Sequence, residues 1–158
     1  MPTAPFARAP LMPRPAPLLP VMVLAWLLLP GLARADMNVL VGGAWVRQPP
    51  PGSDTAAVYF VLRNAGTEPT ELVGVDCAAA RMAMLHETRE SGGEARMRMV
   101  GHLTLKPGDT VELRPGGLHI MLSGLTRSLA VGDRVELTLR FAQGLHMHVT
   151  AVVRPLGS

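Results

Sequence analysis

The sequence predicts an all-β sandwich with Greek-key connections, and three observations carry that expectation. Short apolar runs alternate with turn residues throughout the chain after residue 36. The clearest run, "RVELTLRF" at 134–141, has period two and puts Val135, Leu137, Leu139 and Phe141 on one face. Turn signals recur at short, regular spacing, and no segment shows the periodicity of an amphipathic helix.

The first 35 residues are expected to be a cleaved export signal rather than part of that sandwich. Arg8 and Arg14 with no acid form a basic leader, residues 21–29 are an unbroken apolar run, and Ala33-Arg34-Ala35 is a small-residue cleavage pattern. The run is shorter than the roughly 20 residues a membrane span needs, and prolines flank it. Cleavage after Ala35 predicts a single domain of residues 36–158 in the periplasm, with no membrane insertion. Arg8, Arg14 and Arg34 leave with the signal. The formal +3, from 15 basic and 12 acidic residues, then becomes 12 of each. Without clustered Lys and Arg, a nucleic-acid surface is excluded. The one cysteine, Cys77, permits no internal disulfide and offers no new N-terminal lipid attachment; its apolar neighbours predict a buried small hydrophobe.

Taken in order, "MNVLVGGAWVRQ" predicts a strand that "PPPGSDT" breaks. "AAVYFVLRN" is a strong β run closed by the turn at Asn64-Ala65-Gly66. "ELVGVDC" and "RMAMLHETRE" follow, and "SGGEA" predicts a hairpin loop. "RMRMVGHLTL" is expected to run as one strand to the turn "KPGD", followed by "TVELR" and the turn "PGG". "LHIMLSGL", the "VGD" turn, "RVELTLRF" and "LHMHVTAVV" complete the chain. Trp45 and Tyr59 sit in apolar strands and are expected to pack in the core or at its rim.

Methionine and histidine are the residues that this plan does not use up. In "LHIMLSGL", Leu118, Ile120 and Leu122 form a core face, so His119 and Met121 point the other way, about 7 Å apart along the strand. In "AMLHE", Met84 and His86 share the face opposite Leu85, and in "RMRMV" Met97 and Met99 share a side while Arg96 and Arg98 share the other. Thioether with imidazole favours copper, particularly Cu(I), over zinc or harder ions. A structural zinc site would want cysteine beside histidine, and there is no cysteine pair.

His86, Met97, His119 and Met121 stand in the spacing H-x10-M-x21-H-x-M. With it come "AWVRQPPPG", "AAVYFVLRNAG", "LHET", "PGGLHIMLSGL" and "GDRVELTLRF", spanning residues 44–141. On these blocks the chain resembles the PCuAC family of exported copper chaperones. The resemblance implies a cupredoxin-like sandwich holding one Cu(I) near the surface, with His86, Met97, His119 and Met121 as its ligands. It also implies delivery of copper for assembly of cytochrome c oxidase, with an oxidase subunit or a Sco-type protein as partner. The chain is expected to be a monomer without catalytic turnover, a metal-bridged dimer being the alternative state. The alternative is an exported copper-binding or storage protein with no dedicated oxidase partner. Met84 and Met99 are expected to shield the site or serve as reserve ligands. His146 and His148, two apart on the last strand, are expected to be exposed and are a candidate weak Cu(II) pair, although no His- and Met-rich tail follows. His102, after a glycine, is expected simply to be exposed.

Three other classes fit less well. A blue-copper electron carrier needs a Cys ligand with a nearby His, and Cys77 has none two to four residues downstream. Thiol redox catalysis would need a C-x-x-C, and no Ser–His–acid or paired-carboxylate arrangement stands out. A purely adhesive sandwich would leave the spacing of four soft donors unexplained.

Overall fold

The computed structural model describes residues 38–155; the proposed signal and cleavage site lie outside them. Ten strands follow one another: β1 (Val39–Arg47), β2 (Thr55–Asn64), β3 (Thr70–Cys77), β4 (Ala80–Ser91), β5 (Glu94–Met99), β6 (Leu103–Leu105), β7 (Thr110–Leu113), β8 (Leu118–Leu125), β9 (Arg134–Phe141) and β10 (His146–Arg154). One turn of 3-10 helix, Ala142–Gly144, joins the last two. The hydrogen-bonded order is β5-β4-β8-β2-β1-β10-β9-β3-β6, with β7 on the far half of β2. This path folds over on itself as a cupredoxin-like Greek-key sandwich. Leu85, Ile120 and Leu122 from β4 and β8 share one core with Val75, Leu137, Leu139 and Phe141 from β3 and β9.

The core faces are those alternation predicts for β2, β8, β9 and β10. Val58, Phe60 and Leu62 on β2 and Val149, Ala151 and Val153 on β10 are buried alongside the β8 and β9 residues. Each large aliphatic or aromatic side chain so placed contributes about 1.5–3 kcal/mol. Two strands change parity part-way. In β1 the register shifts between Gly42 and Trp45, so the inward residues pass from Val39 to Val46, and Trp45 goes to the outer face opposite Tyr59. In β3 the shift between Leu72 and Gly74 does the same, with Leu72 and then Val75 inward.

The segment 96–105 is not one strand. β5 stays with β4, the chain leaves it after Met99, and β6 pairs with β3 in the other layer. All of β5 is exposed: it is the strand at the end of the order, and apart from Ala95 its residues are charged or methionine. The β4–β5 hairpin turns on Gly92 and Gly93, whose φ values of 64° and 82° are ones that glycine adopts without strain.

Candidate metal site

Register builds the site. β4 lies between β5 and β8, with His86 opposite Met99 on one side and opposite His119 on the other. Met84 lies opposite Met121, and Thr88 opposite Met97. Residues paired across antiparallel strands share a face. Met84, His86, Met97, Met99, His119 and Met121 therefore all belong to one face of the three strands. The reverse face of the hairpin is charged, with Glu87 held by Arg98 at 2.8 Å and by Arg89 at 3.0 Å. These two guanidiniums keep the Glu87 carboxyl below the usual carboxylate range.

The two imidazoles meet edge to face, their centroids 6.0 Å apart at 83°. His119 Nδ1 lies 3.1 Å from the Gly117 carbonyl oxygen. A carbonyl only accepts, so Nδ1 carries the proton and Nε2 keeps its lone pair for a ligand. His86 Nδ1 is buried without a hydrogen-bond partner, an arrangement that costs free energy unless something satisfies the atom. Burial first, and the like charge of His119 second, pull the His86 pKa below the ordinary histidine value of 6.5. Both effects keep this ring neutral, the form that binds metal.

Among the described residues, no three of His, Cys, Asp and Glu come together in a way that could hold a metal ion. A metal site on this face must therefore include thioether sulfur. With two imidazoles and the neighbouring methionines, the donor set fits Cu(I) and fits zinc or calcium poorly.

All four sequence-predicted donors share the face, but their exposure differs from expectation. His119 points away from the core yet is only 5 % exposed, while Met97 is 58 % and Met99 67 % exposed. The cover comes from neighbours: His86 on one side, and on the other Tyr59, whose ring centroid is 6.4 Å from that of His119. Trp45 stacks on Tyr59 at 4.6 Å, and the Arg154 guanidinium sits 5.5 Å above the Trp45 ring. Sequence reasoning placed Trp45 and Tyr59 in general packing and missed that they back the site. The available signal was parity, since Tyr59 stands between the core residues Val58 and Phe60.

The remaining candidates lie elsewhere. His146 and His148 are exposed on β10, where the His148 ring approaches the Thr138 hydroxyl at 3.1 Å. His102 is exposed. Cys77 is half-buried against the core and its thiol pKa is raised, chiefly by burial.

Comparison with known proteins places this geometry. Residues 39–153 match the family described as "Putative lipoprotein LpqE-like". The "Putative lipoprotein Lxx21020" of Leifsonia xyli subsp. xyli is 35 % identical over 118 residues, 74 % of this chain and 70 % of that protein. Among solved structures, the Cu(I) form of DR1885 from Deinococcus radiodurans is 38 % identical with a TM-score of 0.61, covering 77 % of this chain and 81 % of that one. The copper-bound PCuAC domain of PmoF2 is 25 % identical with a TM-score of 0.64, covering 75 % and 95 %. The chain belongs to the LpqE-like family and is a PCuAC-type domain on a cupredoxin-like β-sandwich.

Proposed function

We propose that the protein is a periplasmic Cu(I) carrier that binds one ion per chain through His86, Met97, His119 and Met121 and passes it on without catalytic turnover. The observation that carries this reading is the convergence on one face of an oriented imidazole, His119, an unsatisfied imidazole, His86, and a set of thioethers. The copper-bound relatives support it.

The donor chemistry suits a carrier. Thioether sulfur binds Cu(I) without releasing a proton, so only the histidines couple affinity to pH. Neutral donors on three adjacent strands can be replaced one at a time by an incoming partner, which a closed thiolate cage would resist. His119 and Met121 on β8 form the inner, fixed end of the site, and Met97 on the edge strand forms the exchangeable end. Export is in keeping with the lipoprotein-like family, and no described helix is long and apolar enough to cross a membrane. Following the PCuAC resemblance, the cargo's destination is the copper centres of cytochrome c oxidase.

An anaerobic Cu(I) titration of the purified protein against a chromogenic chelator of known affinity tests the binding. One tight equivalent is expected, and no competition for copper would end the proposal. Delivery is tested separately: the loaded protein mixed with an apo oxidase copper domain should lose its metal to it. Retention of copper by the loaded protein would leave binding without this destination.

A further inference from the structure

Four donors satisfy one Cu(I), yet the same face carries three more thioethers than that site uses: Met82, which stands opposite Ser123, Met84 and Met99. Met99, not Met97, stands directly opposite His86, and Met84 stands directly opposite Met121. Met84 and Met99 also line one cleft of about 280 Å³ between β4 and β3, together with Leu72, Val75, Val100 and Arg140. None of His86, Met97, His119 and Met121 borders that cleft. Of the large hydrophobic side chains left exposed, Met82, Met97 and Met99 all belong to the β4–β5 hairpin, at 54 %, 58 % and 67 %. Valine or leucine would serve equally as surface filler; only methionine adds a soft donor.

From this we propose that Met84 and Met99 form a second, outer Cu(I) subsite through which the ion enters and leaves the four-donor centre. The inference rests on the copper-carrier reading and extends it. His86 is the pivot, because it adjoins Met84 along its own strand, Met99 across to β5 and His119 across to β8. In the outward step the Cu–N bond to His119 and the Cu–S bonds to Met121 and Met97 break. Cu–S bonds to Met84 and Met99 form while the His86 bond is kept. Copper stays Cu(I), no electron moves and no proton is released. Exposure is 5 % at His119 and 67 % at Met99, so an incoming donor that cannot reach His119 can reach the outer subsite through Met99.

The test follows 13C-labelled methionine methyl signals of the whole protein during anaerobic Cu(I) addition. It then compares wild type with Met84→Leu/Met99→Leu, a volume-conserving exchange that keeps the fold. The first equivalent should move the Met97 and Met121 methyls most; with His86 then taken, a second and weaker equivalent is held by the two thioethers alone and should move the methyls of Met84 and Met99. The double variant should keep its first-equivalent affinity within about threefold but release Cu(I) to bathocuproine disulfonate at least about fivefold more slowly. Three results would overturn the subsite: Met84 and Met99 methyls that never move, an unchanged release rate, or a tenfold loss of first-equivalent affinity. The last would make the two methionines ordinary ligands of a single centre. If the Met97 and Met121 methyls are also silent and no copper binds, the carrier function itself fails, and the subsite with it.

Discussion

At the scale of the residue, His119 and His86 do different work. His119 is buried, held by one carbonyl and packed between Tyr59 and His86. Its replacement by alanine should therefore lower Cu(I) affinity by about a hundredfold or more and also destabilise the fold by about 1–3 kcal/mol through a cavity. Chelator competition and chemical denaturation measure the two separately. His86 contributes to the pH response. Its pKa is depressed in the fold, so neutral His86 stabilises the native state above the unfolded value of 6.5, and that stability is lost as pH falls through the folded value. Cu(I) affinity should accordingly hold as pH falls past the ordinary histidine value and drop only as pH passes through the lower folded value. His86→Gln, which removes one of the two ligand imidazoles, should weaken binding and make this profile shallower in a pH series of chelator competitions. The shared face of His119 and Met121 was legible in the sequence, because strand parity assigns it from local pattern alone. Their burial was not legible, because Tyr59 and His86 come from other strands and only register brings them alongside.

At the scale of the element, the β4–β5 hairpin is where sequence pattern and structure part. Period two was visible through "RMRMVGHLTL", so a continuous strand was the local expectation. Pattern cannot show which layer a strand joins, and the chain crosses to the other layer between Met99 and Leu103. The hairpin reaches beyond the core with every residue of β5 exposed, so its stability depends on pairing with β4 and on its turn. Replacing Gly93 (φ 82°) by valine should cost about 1 kcal/mol or more locally. Because β5 carries Met97 and Met99, the same change should raise amide exchange in residues 94–99 and weaken Cu(I) binding, with β8 and β9 protection unchanged. Equal loss of protection throughout the sandwich would show that the hairpin folds as one unit with the rest.

At the scale of the whole molecule, the core and the metal site are separable, and Asn64 shows how. It ends β2, fully buried, and its side chain donates to the carbonyls of Glu68 at 2.8 Å and Leu105 at 3.0 Å while accepting from the Gly66 amide at 3.0 Å. One side chain thus ties the loop after β2 to β6, and the Asn-Ala-Gly turn that the sequence signalled is fixed by two bonds within the loop and one to a distant strand that it did not signal. Asn64→Ala leaves buried groups unpaired and should cost about 2–4 kcal/mol. None of these bonds involves β4, β5 or β8 residues of the donor face. The loss in the metal-free and Cu(I)-loaded proteins should therefore be equal, and Cu(I) affinity should stay within about twofold. Cu(I) at about a thousandfold excess over its dissociation constant should itself stabilise either protein by about 4 kcal/mol. Denaturant midpoints of the four states, wild type and variant with and without Cu(I), measure both effects. A metal-induced gain that shrinks in the variant would mean that the β2–β6 end of the sandwich and the donor face are energetically coupled, and that loading the site tightens the whole fold.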